Sequence, residues 1–113
     1  MALPQAEYSL TARGYHFVGY PWPVEFPVND FSTCISPIYG RTTTQGMNAA
    51  ADQIHVWTGL AWEKYYYNTT VSGFVKEGES EITNKKLAAG EGVFLLRSSR
   101  GAGTLTFTKP AGL

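Results

Sequence analysis

The residues able to do chemistry in this 113-residue chain are few and scattered. His16 and His55 stand far apart, with no Cys or Asp at ligand spacing, which makes a poor zinc set. Cys34 is the single cysteine, so no internal disulfide can form. It lacks the local signature of a nucleophile and reads as a small buried hydrophobe, with an intermolecular thiol as the alternative. Ser98 and Ser99 lie between Arg97 and Arg100 without a nearby base or an elbow motif for acyl transfer. In "KEGESE", Glu77, Glu79 and Glu81 alternate and point one way on an extended chain. Calcium loops draw on Asp and several backbone oxygens. With Lys76, Lys85 and Lys86 flanking it, the cluster reads instead as a charge-balanced, solvated loop. Nothing selects two converging acids for glycoside hydrolysis, and Asn68 in "NTT" reads as a chance glycosylation sequon. The expectation is no catalytic residue, no cofactor and no metal.

Recognition chemistry is concentrated in one stretch, "HVWTGLAWEKYYY", residues 55–67. It reads as a β-hairpin around Gly59. A two-residue loop pairs Trp57 with Leu60; a four-residue loop, Thr58 to Ala61, pairs Trp57 with Trp62. The two registers differ by two, so each side chain keeps its face. His55, Trp57, Trp62, Lys64 and Tyr66 share one face. Ile54, Val56, Tyr65 and Tyr67 share the other, with Glu63, and form the expected core face. The first face suits recognition, because indoles offer large rigid apolar area with a polar handle. Cross-strand aromatic packing is the plainer alternative. Trp22, Trp57, Leu60, Trp62 and Tyr66 are the candidate binding residues.

Short strands must position these residues. Gly and Pro punctuate nearly every window, and only Gly46 to Gln53 is compatible with a short helix. Strand patterns run through Glu7–Ala12, Tyr15–Tyr20, "DQIHVW", "LAWEKYYY", "VSGFVKEG", "SEITN", Gly92–Leu96 and Thr104–Lys109. Asp30 to Gly40 allows one short strand or turn. "PWPVEFP" reads as an extended edge or crossing segment because of its prolines. Seven to nine short, mainly antiparallel strands predict an all-β sandwich or small barrel, one domain over residues 1–113. Gly59, Gly90 and Gly92 are expected turn glycines, and "RGAG" a further tight corner.

Hydrophobic residues make up 43% of the chain and aromatics 14%, which predicts a folded core. Nine Lys plus Arg balance nine Asp plus Glu. That neutrality argues against nucleic acid, which needs a basic surface. It also does little to keep copies of the chain apart. The N-terminal "MALPQAEYSLTARG" has neither a secretory apolar core nor a membrane-spanning run. It fits a chain that begins at Met1 or a mature segment after signal removal, and no membrane insertion is expected.

Three blocks occur in order: "GYHFVGYPWP", "DQIHVWTGLAWEKYYY", and "LAAGEGVFLL" before "GTLTFTKPAG". Together they resemble a small β module of bacterial secreted and cell-surface proteins. Its members open with Gly, an aromatic, a hydrophobic pair and Pro. They carry a Trp-(Asp/Asn)-Gly hairpin and close with Leu-x-x-Gly-x-Gly. Here Thr58 replaces the acidic or amide residue, and Leu60-Ala61 makes the tip apolar. The resemblance implies an extracellular, non-catalytic domain used as an appendage or assembly part. The leading expectation is a self-assembling structural subunit of a surface structure, filament or particle shell. A carbohydrate-binding module using Trp57, Trp62 and Tyr66 on polysaccharide is the alternative, and a viral capsid decoration protein the other.

Overall fold

A computed structural model of the chain describes residues 5–42 and 49–113. Among the described residues ten strands run in chain order: β1 (Gln5–Leu10), β2 (Tyr15–Gly19), β3 (Phe26–Pro27), β4 (Ile35–Ser36), β5 (Gln53–Trp57), β6 (Trp62–Asn68), β7 (Gly73–Lys76), β8 (Lys86–Leu87), β9 (Gly92–Leu96) and β10 (Gly103–Thr108). Among the described residues every pairing between these strands is antiparallel, and one isolated bridge, Arg41 to Asn68, is parallel. One sheet has the order β1-β10-β4, the second β2-β9-β5-β6-β7, and β3-β8 form a small pair. The count exceeds the expected seven to nine through the two-residue ladders β3, β4 and β8, of which only β8 lies where no strand or extended segment is expected. "SEITN" forms only an isolated bridge, Val75 to Ile82.

Period-two alternation decides which residues enter the core. In β1, Ala6, Tyr8 and Leu10 point inward while Gln5, Glu7 and Ser9 face water. Leu105 and Phe107 of β10 join them from the same sheet. The five-stranded sheet contributes Val18, Val93, Leu95, Ile54, Val56, Tyr65 and Phe74 to one buried cluster. Tyr67 is partly buried and packs edge-on against Phe74, 5.7 Å between ring centroids. These two inner faces make a sandwich, the arrangement in which two antiparallel sheets hide one side each.

The helix lies elsewhere than expected. Residues 46–48 of the candidate helix fall outside the described residues, residues 49–51 form a turn, and Gln53 already starts β5. A 3-10 turn, Val28–Asp30, leads instead into the four-residue helix α1 (Phe31–Cys34). Phe31 anchors it, packing on Phe26 and Phe107 at 5.0 and 5.7 Å between centroids. The stretch Asp30 to Gly40 thus holds a helical turn as well as the short strand β4.

Glycine geometry corrects two expectations. Gly59 and Gly90 have φ of 96° and 80°, the left-handed region a turn glycine favours. Gly92 does not: it lies within β9, paired with Gly19 of β2. Its lack of a side chain serves close packing, since a Cβ there would stand 2.3 Å from Phe17 Cζ. The "RGAG" corner also turns without positive φ, and a Cβ at Gly103 would collide with the Arg97 guanidinium, 2.5 Å from its nearest nitrogen.

Candidate functional site

The β5–β6 hairpin adopts the four-residue loop. Trp57 pairs with Trp62, His55 with Lys64, and Gln53 with Tyr66. Thr58 organises the tip, where a side chain that accepts local backbone N–H bonds is wanted. Its N–H donates to Ala61 O at 3.0 Å, and its Oγ1 accepts the N–H groups of Ala61 and Leu60 at 3.1 and 3.4 Å. The tip presents Leu60 to solvent.

β9 lies on the other side of β5 and β2 beyond it, so the hairpin's outer face continues across the sheet. Phe17 pairs with Phe94, Phe94 with His55, and His55 with Lys64, which sets these four residues in one row over β2, β9, β5 and β6. Tyr15 flanks the row on one side, Trp57 and Trp62 on the other. Phe17 is 66% exposed, Tyr15 61%, Trp57 50%, Trp62 46% and Leu60 93%. The rings touch as a herringbone. Trp57–Trp62, Trp62–Phe94 and Phe17–Phe94 meet at 5.1, 5.6 and 5.2 Å with interplanar angles of 57°, 64° and 62°. The two indoles therefore pack against each other while half their surface remains open.

Two shallow depressions mark this face. One, of about 470 Å³, is lined by Tyr15, His55, Trp62, Lys64 and Phe94. The other, of about 370 Å³, lies between Phe17, Trp57, Trp62 and Phe94. His55 forms the floor of the first. Its Nε2 donates to Gln53 Oε1 at 2.8 Å and its ring meets Tyr15 edge-on at 5.6 Å. Burial, and then the neighbouring Lys64 ammonium, lower its pKa from 6.5 to about 4. The imidazole is neutral at pH 7, so Lys64 carries the one charge among these residues.

The structure does not gather all the candidate binding residues. Trp22 is buried in the core, edge-on to Tyr20 at 5.1 Å, with 4% of its surface exposed. Tyr66 shares the parity of Trp57 and Trp62, yet it too is buried, packed with Ala51, Val75 and Val71. Residues 49–52 cross over that end of the sheet and close it: Ser99 N–H donates to Ala49 O at 2.7 Å, and Tyr67 N–H to Asp52 O at 3.0 Å. Trp57, Leu60 and Trp62 remain on the open face. Ile54, Val56 and Tyr65 are buried on the opposite side. Glu63, at the rim of that side, accepts from Tyr65 OH at 3.0 Å and pairs with Lys76 and Lys85 at 3.5 and 3.8 Å.

Tyr15, Phe17 and Phe94 are the members that sequence reasoning left out. Their signal was alternation: Tyr15 and Phe17 bracket His16, and Phe94 sits between the buried Val93 and Leu95. A second omission is internal. Asp52 and Arg97 are wholly buried and paired at 2.9 Å. Asp52 also accepts the N–H groups of Ser98 and Tyr39 at 2.8 and 2.9 Å. Arg97 donates to Gly101 O and Ala102 O at 2.8 and 3.1 Å and lies over the Tyr39 ring. Burial raises the Asp52 carboxyl above its ordinary value, while the N–H donors and Arg97 pull the other way. One residue precedes β5 and the other follows β9, so the antiparallel register of these strands brings them opposite one another.

Ser98 Oγ donates to Ala50 O at 2.8 Å, a structural use of that hydroxyl. Glu77, Glu79 and Glu81 are exposed, and among the described residues no three His, Cys, Asp or Glu converge as metal ligands. Among the described residues no helix is long and apolar enough to cross a membrane. Comparison with family models, with curated proteins and with solved structures finds no match in any of the three. Fold and site together define an antiparallel β-sandwich that carries an open aromatic face on its five-stranded sheet.

Proposed function

We propose that this protein is a non-catalytic structural subunit that associates with further copies of itself through the outer aromatic face of its five-stranded sheet. The observation that carries this reading is the contrast between the two outer faces of one sandwich. The three-stranded sheet shows water Gln5, Glu7 and Ser9 beside Thr104, Thr106 and Thr108. That is the ordinary solvated face of an antiparallel sheet. The five-stranded sheet turns Tyr15, Phe17, Trp57 and Trp62 to the same solvent.

Area supports the same reading. An aromatic side chain carries about 150–250 Å², so these four rings, near half exposed, offer on the order of 300–600 Å². A standard interface takes about 800 Å² from each partner, of which roughly 450 Å² is apolar. The patch matches that apolar share. A second copy suits it because the chain has zero net charge and no repulsion of like molecules to overcome. Ring geometry weighs against polysaccharide as occupant. A sugar ring stacks flat on a ring face, whereas neighbouring rings here are tilted by 57° or more. By the module resemblance, the setting is a bacterial surface structure, with a particle shell as the alternative.

Light scattering from micromolar to millimolar concentration tests the proposal. The mass is expected to rise above the 12.4 kDa of one chain. The rise should be smaller for a Trp57→Thr/Trp62→Thr variant that unfolds at an unchanged temperature. A native chain that remains a monomer across the range would contradict it.

A further inference from the structure

We infer that β2 is a self-pairing edge: two copies join β2 to β2 in antiparallel register centred on Phe17, making one continuous sheet with the two aromatic faces side by side. This rests on the self-association reading and adds a second contact to it: the edge joins two copies side by side, and their doubled aromatic face stays open to further copies.

β2 ends the five-stranded sheet, with β9 on one side only. The hydrogen-bond phase shows which of its backbone groups are spare. Arg97 N–H donates to Gly14 O at 3.0 Å, one step beyond the Tyr15–Leu96 pair. Antiparallel ladders alternate, so His16 and Val18 turn their N–H and C=O groups toward β9. Tyr15, Phe17 and Gly19 turn theirs outward. Gly19 O accepts from Tyr8 OH at 3.3 Å, which leaves it a second lone pair. The outward groups of Tyr15 and Phe17 meet no partner among the described residues.

Native sheets blunt such edges with charges, prolines, bulges or very short strands. "YHFVG" contains no charged residue and no proline, and its ladder with β9 runs unbroken through all five residues. The other edges are protected. β1 carries Glu7 and β4 has two residues. Beside β7, Ile82 bridges Val75, and Thr83 N–H donates to Phe74 O at 2.8 Å.

The side chains are self-complementary in this one register. A two-fold axis at Phe17 sets its N–H against the partner copy's C=O, and the reverse, and places Tyr15 opposite Gly19 in both directions. An isologous contact requires this reciprocity. Gly19 offers an open shelf, since a Cβ built there finds nothing nearer than 3.9 Å. The same chain shows how such a shelf is used: the Phe17 ring already covers Gly92 of the neighbouring strand. Tyr15 of a second copy would cover Gly19 in the same way. On the inner side, His16 meets Val18.

The test combines sedimentation velocity with residue-resolved amide exchange over a concentration series, for the native chain and for Gly19→Val. The substitution has room within its own chain and adds a β-branched residue to a strand, so the fold should be retained. It blocks the seat of Tyr15. As the native chain associates, exchange at Phe17 and Tyr15 is expected to slow by roughly tenfold or more. Gly19→Val should lose both that protection and the edge-paired dimer. Gly19→Lys, which sets a charge on the edge and leaves the four exposed rings in place, should do the same and serves if Gly19→Val folds poorly. A native chain that associates while these amides exchange unchanged, or a folded Gly19→Val that associates as well as the native chain, overturns the seam and leaves association through the aromatic face standing. A native chain that never associates overturns both.

Discussion

His55 packs under Tyr15 and beside Lys64, with Gln53 as its hydrogen-bond partner, and this makes the fold sensitive to acid. Its pKa is about 4 in the fold against 6.5 for the free side chain. The folded chain therefore binds this proton more weakly than the unfolded chain, and unfolding takes up a proton between these values. Stability contributed by the neutral imidazole is complete above pH 6.5 and is lost as pH falls toward 4. The whole shift corresponds to roughly 3 kcal/mol. Urea midpoints measured from pH 7 to pH 4 should fall for the native chain and fall less for His55→Gln. The Asp52–Arg97 pair sets a larger penalty. Asp52→Ala leaves the guanidinium buried without its carboxylate, a loss of about 3–5 kcal/mol, and Arg97→Met should cost a similar amount. Urea unfolding should show the double variant to be more stable than either single one, because neither charge is then stranded.

At the scale of the element, the hairpin was the most legible part of the chain. Alternation sorted Ile54, Val56 and Tyr65 from His55, Trp57 and Trp62 in either register, because the registers differed by two. Gly92–Leu96 was likewise bounded correctly by its apolar run. Trp22 and Tyr66 were not legible. Parity gives the side of a sheet and says nothing about what crosses over it, and residues 49–52 cover Tyr66 from a distance no local pattern encodes. The same limit hid Tyr15, Phe17 and Phe94, whose exposure depends on β2 and β9 continuing the outer face of β5. The buried ion pair was hidden too, since two charged residues at strand ends look solvated until the strands are paired. Gly59 has φ of 96° and open space around it, so Gly59→Val meets no clash and suffers backbone strain alone. Its cost should be about 1–2 kcal/mol, read as a lower thermal midpoint, with the β5–β6 register preserved in cross-strand NMR contacts.

Across the whole molecule, the two sheets share one core and differ in what they show to water. The polar face beside β1 and β10 needs no partner. The aromatic face beside β9, β5 and β6 does, if its open apolar area is to be removed from water. Apolar association of this kind strengthens in excluded salts such as sulfate, and an interface held by exposed ion pairs weakens with added salt. Self-association should therefore increase with sulfate in a sedimentation series. Hydroxyl-radical footprinting across the concentration range over which the mass rises bears most directly on the central claim. Labelling of Tyr15, Phe17, Trp57 and Trp62 should fall together as the mass increases, while Leu113, exposed to the same 46% as Trp62, stays constant. A rise in mass with these four aromatics labelled as strongly as in the monomer would contradict the account.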